Sequence, residues 1–167
     1  FHAGLEKHMA RAADLVRKGL GAEAVGGRWS LNSLIWFHPD AEPEQMLETY
    51  NKVQADIRRK LKVEAAVGIA CHPCLHFAKA DALDNCRKAL EYALLLPEPR
   101  VGLLDSLALN ISADKQFSLG DLHGAMEEYK LALLLDEHNT LAGNSLGVCL
   151  ARLGKLPQAK RRFEEII

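Results

Sequence analysis

Leu119-Gly-Asp-Leu-His-Gly-Ala125-Met-Glu-Glu-Tyr129 returns as Leu153-Gly-Lys-Leu-Pro-Gln-Ala159-Lys-Arg-Arg-Phe163, 34 residues further on. Leu119 matches Leu153, Gly120 matches Gly154, Leu122 matches Leu156, Ala125 matches Ala159 and Tyr129 matches Phe163. Small and aromatic residues in register at such a period mark a helix–turn–helix repeat, in which each unit buries its apolar face on the next. The pattern from Asp105 onward is helical only. It predicts helices over 106–118, 121–135, 140–153 and 156–167, with Asn139 as a cap. No connection exceeds a few residues, as helical hairpins require.

Working back from Asp105, the pattern alternates. Leu5, Met9, Ala12, Ala13, Val16 and Leu20 predict an amphipathic helix over 5–20, ended by Gly19 and Gly21. Gly26-Gly27 reads as a turn. Residues 29–37, rich in aromatic and branched side chains, read as a strand stopped by Pro39. On one strand Trp29 and Trp36 would face opposite sides. A second helix follows over 44–61, with Met46, Leu47, Tyr50, Val53, Ile57 and Leu61 on its buried face. Residues 63–70 read as an interior strand. Residues 77–95 read as a helix with core face Leu83, Cys86, Leu90, Ala93 and Leu94, and 101–104 as a further strand. Helices alternating with strands predict one α/β sheet with helices packed on it. The fold class is thus α+β followed by all-α, with domains 1–104 and 105–167 joined without a flexible linker.

The two copies resemble tetratricopeptide repeats over 106–167. Leu146-Gly147, Gly154, Ala159 and Phe163 fall where that family's pattern wants them, and the first copy has Ser112-Ala113 in place of Leu-Gly. Gly147 and Ala159 would sit where the helices of a hairpin cross closely, and Tyr129 and Phe163 would fill the space between hairpins. Gly120, Ala125 and Gly154 are further structural positions of the pattern. The resemblance implies a groove, lined by the first helix of each repeat, that holds an extended peptide or helix of a protein partner. Asn110 and Asn144 are equivalent positions on that face, and Asp114 and Arg152 project in the same general direction. Asn side chains there can hydrogen-bond a ligand backbone; solvated surface is the alternative reading. Two repeats are fewer than a free solenoid needs. Ile166 and Ile167 end without a polar cap, so either more repeats follow or the end packs on a second copy.

A strand ending Gly68-Ile69-Ala70-x-x-Pro73, then a helix with an Asn/Asp-x-x-x-Ala-Leu-x-x-Ala pattern, resembles the C-terminal half of the GGDEF (diguanylate cyclase) domain. His2-Ala3-Gly4 resembles the end of that family's turn before its long helix. The resemblance covers 1–104 and implies a partial ferredoxin-like sandwich, with a strand lying before Phe1. The departures bear on function. The family joins two GTP molecules through divalent metal held by carboxylates, because Mg²⁺ takes hard oxygen ligands. Gly26-Gly27 is followed here by Arg28-Trp29-Ser30, and no acidic residue occurs between Arg28 and His38. The family's guanine-contacting Asp falls on Leu5. The domain therefore reads as a degenerate, non-catalytic relative with no cofactor; a GTP or cyclic di-GMP sensor or a related enzyme is the alternative. Arg11-Ala-Ala-Asp14 matches the family's product-inhibition string but lies mid-helix, where it reads as an exposed ion pair.

Cys71-His72-Pro73-Cys74-Leu75-His76 raises the question of metal, since Cys-x-x-Cys spacing suits zinc and His72 and His76 could add nitrogen ligands. No second pair at zinc-ribbon spacing occurs, so Cys71, Cys74 and His76 read first as a strand-exit turn; redox use is the third option. The 167 residues carry a net charge of −1, which gives no bulk electrostatic case for nucleic acid or an anionic membrane. No apolar run is long enough to span a bilayer. The four cysteines lack framework spacing and point to a reducing cytosol. The chain opens Phe1-His2 without Met and reads as a piece of a longer protein. Together these features predict a cytoplasmic signalling or scaffold protein that recruits a protein partner, with self-association possible through the last helix.

Overall fold

The computed structural model describes residues 2–166, and of His2 and Ala3 the backbone alone. The end at Ile167 and the side chains of the expected His2-Ala3 turn lie outside the described residues. The chain divides into two compact units, residues 1–67 with 96–101, and residues 68–95 with 102–167. This division groups the helix of 82–93 with the helices that follow Asp105.

In the first unit, α1 (His2–Leu20) begins where a turn had been expected. Strands β1 (Val25–Arg28) and β2 (Leu34–Phe37) pair antiparallel, Val25 opposite Phe37 and Arg28 opposite Leu34. Residues 29–37 are therefore not one strand, and Gly26-Gly27 is not the turn. The reason lies at Gly26, which faces Trp36 so closely that a Cβ would strike the Ile35 carbonyl and the Trp36 backbone. The glycine permits strand pairing instead of bending the chain. The reversal falls on 29–33, closed by Trp29 N–H to the Ser33 carbonyl at 2.9 Å. Trp29 is consequently 61% exposed, while Trp36 is half-buried under the Arg17 guanidinium, 5.7 Å from the ring centroid.

α2 (Pro43–Leu61) packs against α1, and Val16, Leu20, Met46, Val53 and Ile57 form the shared core. Leu47, Tyr50 and Leu61, expected on the buried face, are half-buried. Gln54 is buried instead, because its amide donates to the Ala65 carbonyl at 3.3 Å and to Glu98. Arg11 and Asp14 are exposed and form no ion pair, against expectation; both side chains stay in solvent, where such a pair gains little.

β3 (Ala66–Ile69) and β4 (Arg100–Leu103) form a second two-stranded sheet. The composition is mixed α and β, as expected, but no continuous sheet forms among the described residues. Each strand is four residues long, and β1 and β2 satisfy one another through their hairpin, which leaves two small sheets in place of a sandwich.

In the second unit a 3-10 turn (Lys79–Asp81) leads into α3 (Ala82–Ala93), which buries Asn85, Lys88, Ala89 and Ala93. The expected face of α3 is corrected: Leu83 and Leu94 are 41% and 55% exposed, and Cys86 and Leu90 half-buried. Two constraints set the rotation. Lys88 pairs with Glu128 at 2.7 Å, and the Gly102 backbone approaches Ala89 and Ala93 so closely that a Cβ would lie 2.7 Å from the Ala89 carbonyl. Helices α4 (Ser106–Ser118), α5 (Leu122–Leu135), α6 (Thr140–Arg152) and α7 (Leu156–Glu164) follow close to the expected bounds. α4 packs with α5, α6 with α7, α5 with α6, and α3 with α4. Their core runs from Ala89 and Leu104 through Leu109, Ala113, Ala125, Met126 and Tyr129 to Leu146, Leu150 and Ala159. Among the described residues no helix is long and apolar enough to cross a membrane.

Candidate functional site

The face shared by the first helices of the two hairpins is built on matching ends. Asp105 caps α4 by accepting from Ala108 N–H at 2.8 Å, and Asn139, 34 residues on, caps α6 by accepting from Ala142 N–H at 3.0 Å. The Asn139 amide also donates to Ser106 Oγ at 2.7 Å, and Ser106 donates to the Ala132 carbonyl at 2.8 Å. This buried chain of hydrogen bonds ties α4, α5 and α6 at one end. At the other end, α4 and α6 stop at Gly120 and Gly154, with φ of +87° and +74°. That left-handed conformation is cheap for glycine and costly for other residues, which explains the repeated glycine after each first helix.

The packing positions of the repeat also lie together. Ala125 and Ala159 are buried, and a Cβ on Gly147 would lie 2.5 Å from the Phe163 ring. Phe163 therefore packs within its own hairpin, not in a space between hairpins. Tyr129 does both: its hydroxyl donates to Asp114 in α4 at 2.6 Å, and it also reaches Ser145 and Cys149 in α6. Burial first, and then the Asp114 carboxylate, push the Tyr129 hydroxyl well above the usual phenol range.

The four residues placed on the groove divide. Asn144 is exposed, and its side chain has no partner among the described residues. Arg152 is exposed and lies over the Phe117 ring, 5.3 Å from its centroid. Asp114 is exposed as a residue, but its two oxygens are taken by Tyr129 and by the Asn110 amide at 3.1 Å. Asn110 is buried, with its carbonyl oxygen unpartnered, so it is not an open groove position. The physical reason lies one turn away: Asn110 bonds Asp114, which Tyr129 also holds, whereas the matching positions beside Asn144 are Val148 and Phe163, which offer it no polar partner.

Sequence reasoning overlooked Leu107 and Leu141, which are 42% and 62% exposed, and Val148, 40% exposed. The signal was present: Leu107 and Leu141 are themselves 34 residues apart, at the second position of each first helix. With Asn144 they form the apolar and polar parts of one exposed face.

α3 is fixed to this unit by charge. Lys88 Nζ lies 2.7 Å from Glu128 and 3.3 Å from Asp84, and over the Phe77 ring at 5.5 Å. Both side chains of the Lys88–Glu128 pair are 10% exposed. The Cys71–His76 segment serves this core. Cys74, Leu75 and Phe77 pack against it, and His76 is exposed and stacked on Phe77 with centroids 6.1 Å apart. Burial pushes the Cys74 thiol up, which disfavours the thiolate that metal or redox chemistry would use. Cys71 and Cys74 form no disulfide, and no group of three or more candidate metal-binding side chains gathers among the described residues.

In the first unit the hairpin turn 29–33 bears no carboxylate. The acidic group that reaches this hairpin is Glu6 of α1, which is engaged by Arg28 at 2.5 Å. No family model, curated protein or solved structure matches the chain.

Proposed function

We propose that the protein is a non-catalytic scaffold whose two helical hairpins, read as tetratricopeptide-like repeats, hold a segment of a protein partner. The observation that carries this reading is the matched exposure of Leu107 and Leu141 on equivalent turns of α4 and α6, beside the unpartnered Asn144. Large apolar side chains repeated on one exposed face, next to an amide able to bond a backbone, suit an extended or helical peptide with apolar anchors. The two small sheets among the described residues do not form the sandwich that a GGDEF-like domain implies, so for residues 1–104 the reading keeps only its expectation that no metal-dependent nucleotide chemistry runs at the hairpin. A turn of Trp29, Ser30, Leu31, Asn32 and Ser33 offers no carboxylate to a divalent metal, and Glu6 is occupied by Arg28.

The test is selection of peptides from a displayed random library against the whole chain, followed by binding measurements with the Leu107→Asp/Leu141→Asp variant. Enriched peptides should carry apolar anchors, bind with a Kd of about 1–100 μM, and lose at least about tenfold in the variant. Failure to enrich any sequence, or equal binding by a variant whose circular dichroism is unchanged, would overturn the reading.

A further inference from the structure

α2 carries two stripes. Met46, Val53 and Ile57 face the core. Asn51, Gln54 and Arg58 recur at helical spacing on a second stripe that, with Lys62 at the left-handed C-cap of the helix, lines a cleft of 640 Å³. The facing wall is Val63, Glu64, Glu98 and Pro99, from the same unit. This volume lies within the roughly 300–1,000 Å³ of small-ligand sites. The cleft shares no residue with the β1–β2 hairpin or with α4 and α6.

Its charges are unevenly engaged. Glu64 and Glu98 are both held by Arg100, at 3.4 and 3.5 Å, and Glu98 also accepts from Gln54. Gln54 is 2% exposed and, by bonding Ala65 as well, fixes the wall. Arg59 is held by Asp56 at 2.6 Å. Arg58 and Lys62, by contrast, make no ion pair among the described residues, and the Asn51 amide has no partner. Two cations without an ion-pair partner, Arg58 on the last turn of α2 and Lys62 at its C-cap, favour a ligand group with several anionic oxygens. A guanidinium fork and an ammonium together match a phosphate better than a single carboxylate. Ala55, Val63 and Pro99 add an apolar surface against which a ring can lie.

We propose that this cleft binds a small phosphate-bearing molecule with a ring body, its phosphate held by Arg58 and Lys62 and its ring laid on Ala55, Val63 and Pro99. Titration calorimetry on the whole chain at low salt, with adenosine monophosphate, adenosine and inorganic phosphate as probes, tests it. The nucleotide should saturate with a Kd below about 1 mM, and adenosine and inorganic phosphate should each bind at least about tenfold more weakly. Arg58→Ala/Lys62→Ala should lose the nucleotide by at least about tenfold with unchanged thermal unfolding, since both side chains are exposed. No saturation by the nucleotide, adenosine binding as tightly as the nucleotide, or full binding by the double variant would overturn the assignment. The Leu107→Asp/Leu141→Asp variant should bind the nucleotide as the parent does, so failure of the groove reading and failure of this one give different results.

Discussion

The hairpins α4–α5 and α6–α7 are copies by position and unlike by environment. At matched positions the first has Asp114 and Tyr129, and the second has Val148 and Phe163. In the first, Tyr129 is 1% exposed and hydrogen-bonded to Asp114 at 2.6 Å. In the second, Phe163 is half-buried against Gly147, and Val148 is 40% exposed. Asn110 is buried where Asn144 is open. Each first helix packs on two others, α4 on α3 and α5 and α6 on α5 and α7, so the difference lies in the side chains: Tyr129 and Asp114 engage Asn110, while Phe163 and Val148 leave Asn144 without a polar partner. The second hairpin is thus the better candidate for partner contact, and the first is its support.

If that comparison is right, the ion pair that fixes α3 carries the largest effect. Lys88→Ala leaves Glu128 buried with one oxygen already unpartnered and the other newly so. Loss of one member of a buried pair costs about 3 kcal/mol. Urea unfolding should show it, and Lys88→Met/Glu128→Leu should recover most of the loss. If Lys88→Ala unfolds like the parent, this ion pair does not brace the first hairpin and that part of the comparison fails.

Much of this unit could be read from the chain. The bounds of α4 to α6 and the start of α7 followed from helical spacing, although α7 stops at Glu164, and Asn139 was recognisable as a cap because its side chain bonds its own backbone neighbourhood. Local causes leave local marks. The face of α3 did not, because the burial of Lys88 depends on Glu128, far along the chain, and a lone lysine reads as surface. Asn110 and Asn144 looked alike because both sit at the same position of the repeat, and what distinguishes them is Asp114, held by Tyr129, beside Asn110 and Val148 beside Asn144. In the first unit Gly26-Gly27 was misread since glycine marks both tight turns and close backbone approaches, and only the position of Trp36 decides between them. The cleft along α2 left no motif, since it joins one helix stripe to Glu98 and Pro99.

A second test sits where the hairpins differ by one carbon. Ala113 and Gly147 are equivalent, and the Phe163 ring occupies the space a Cβ would need at Gly147. Gly147→Leu forces Phe163 from that position and should cost about 2 kcal/mol by overpacking. Gly147→Leu/Phe163→Ala should recover part of it, because the ring that collides is gone. Thermal unfolding measures both. Full tolerance of Gly147→Leu would mean that α6 and α7 are not closely packed.

The smallest effect is the most specific to the first hairpin. Tyr129→Phe copies the second hairpin's ring without its hydroxyl and leaves Asp114 bonded to Asn110 alone. The cost near neutral pH should be about 1 kcal/mol, the net value of a hydrogen bond to a charged acceptor being modest at a partly solvated site. The pH dependence carries the sign. The folded chain holds the Tyr129 proton more tightly than the unfolded chain, whose phenol ionises near pH ~10. This contribution is therefore intact below about pH 10 and is lost as pH rises above it, because the unfolded state sheds the proton first. Urea unfolding of the parent between pH ~9 and ~11 should show that decline, and Tyr129→Phe should show less of it. Tyr129→Phe/Asp114→Val, which copies both positions of the second hairpin, should restore neutral-pH stability while keeping the flatter alkaline profile. An equal alkaline decline in parent and variant would mean that the Tyr129 hydroxyl is not held by Asp114, and the contrast with Val148 and Phe163 would lose its physical basis.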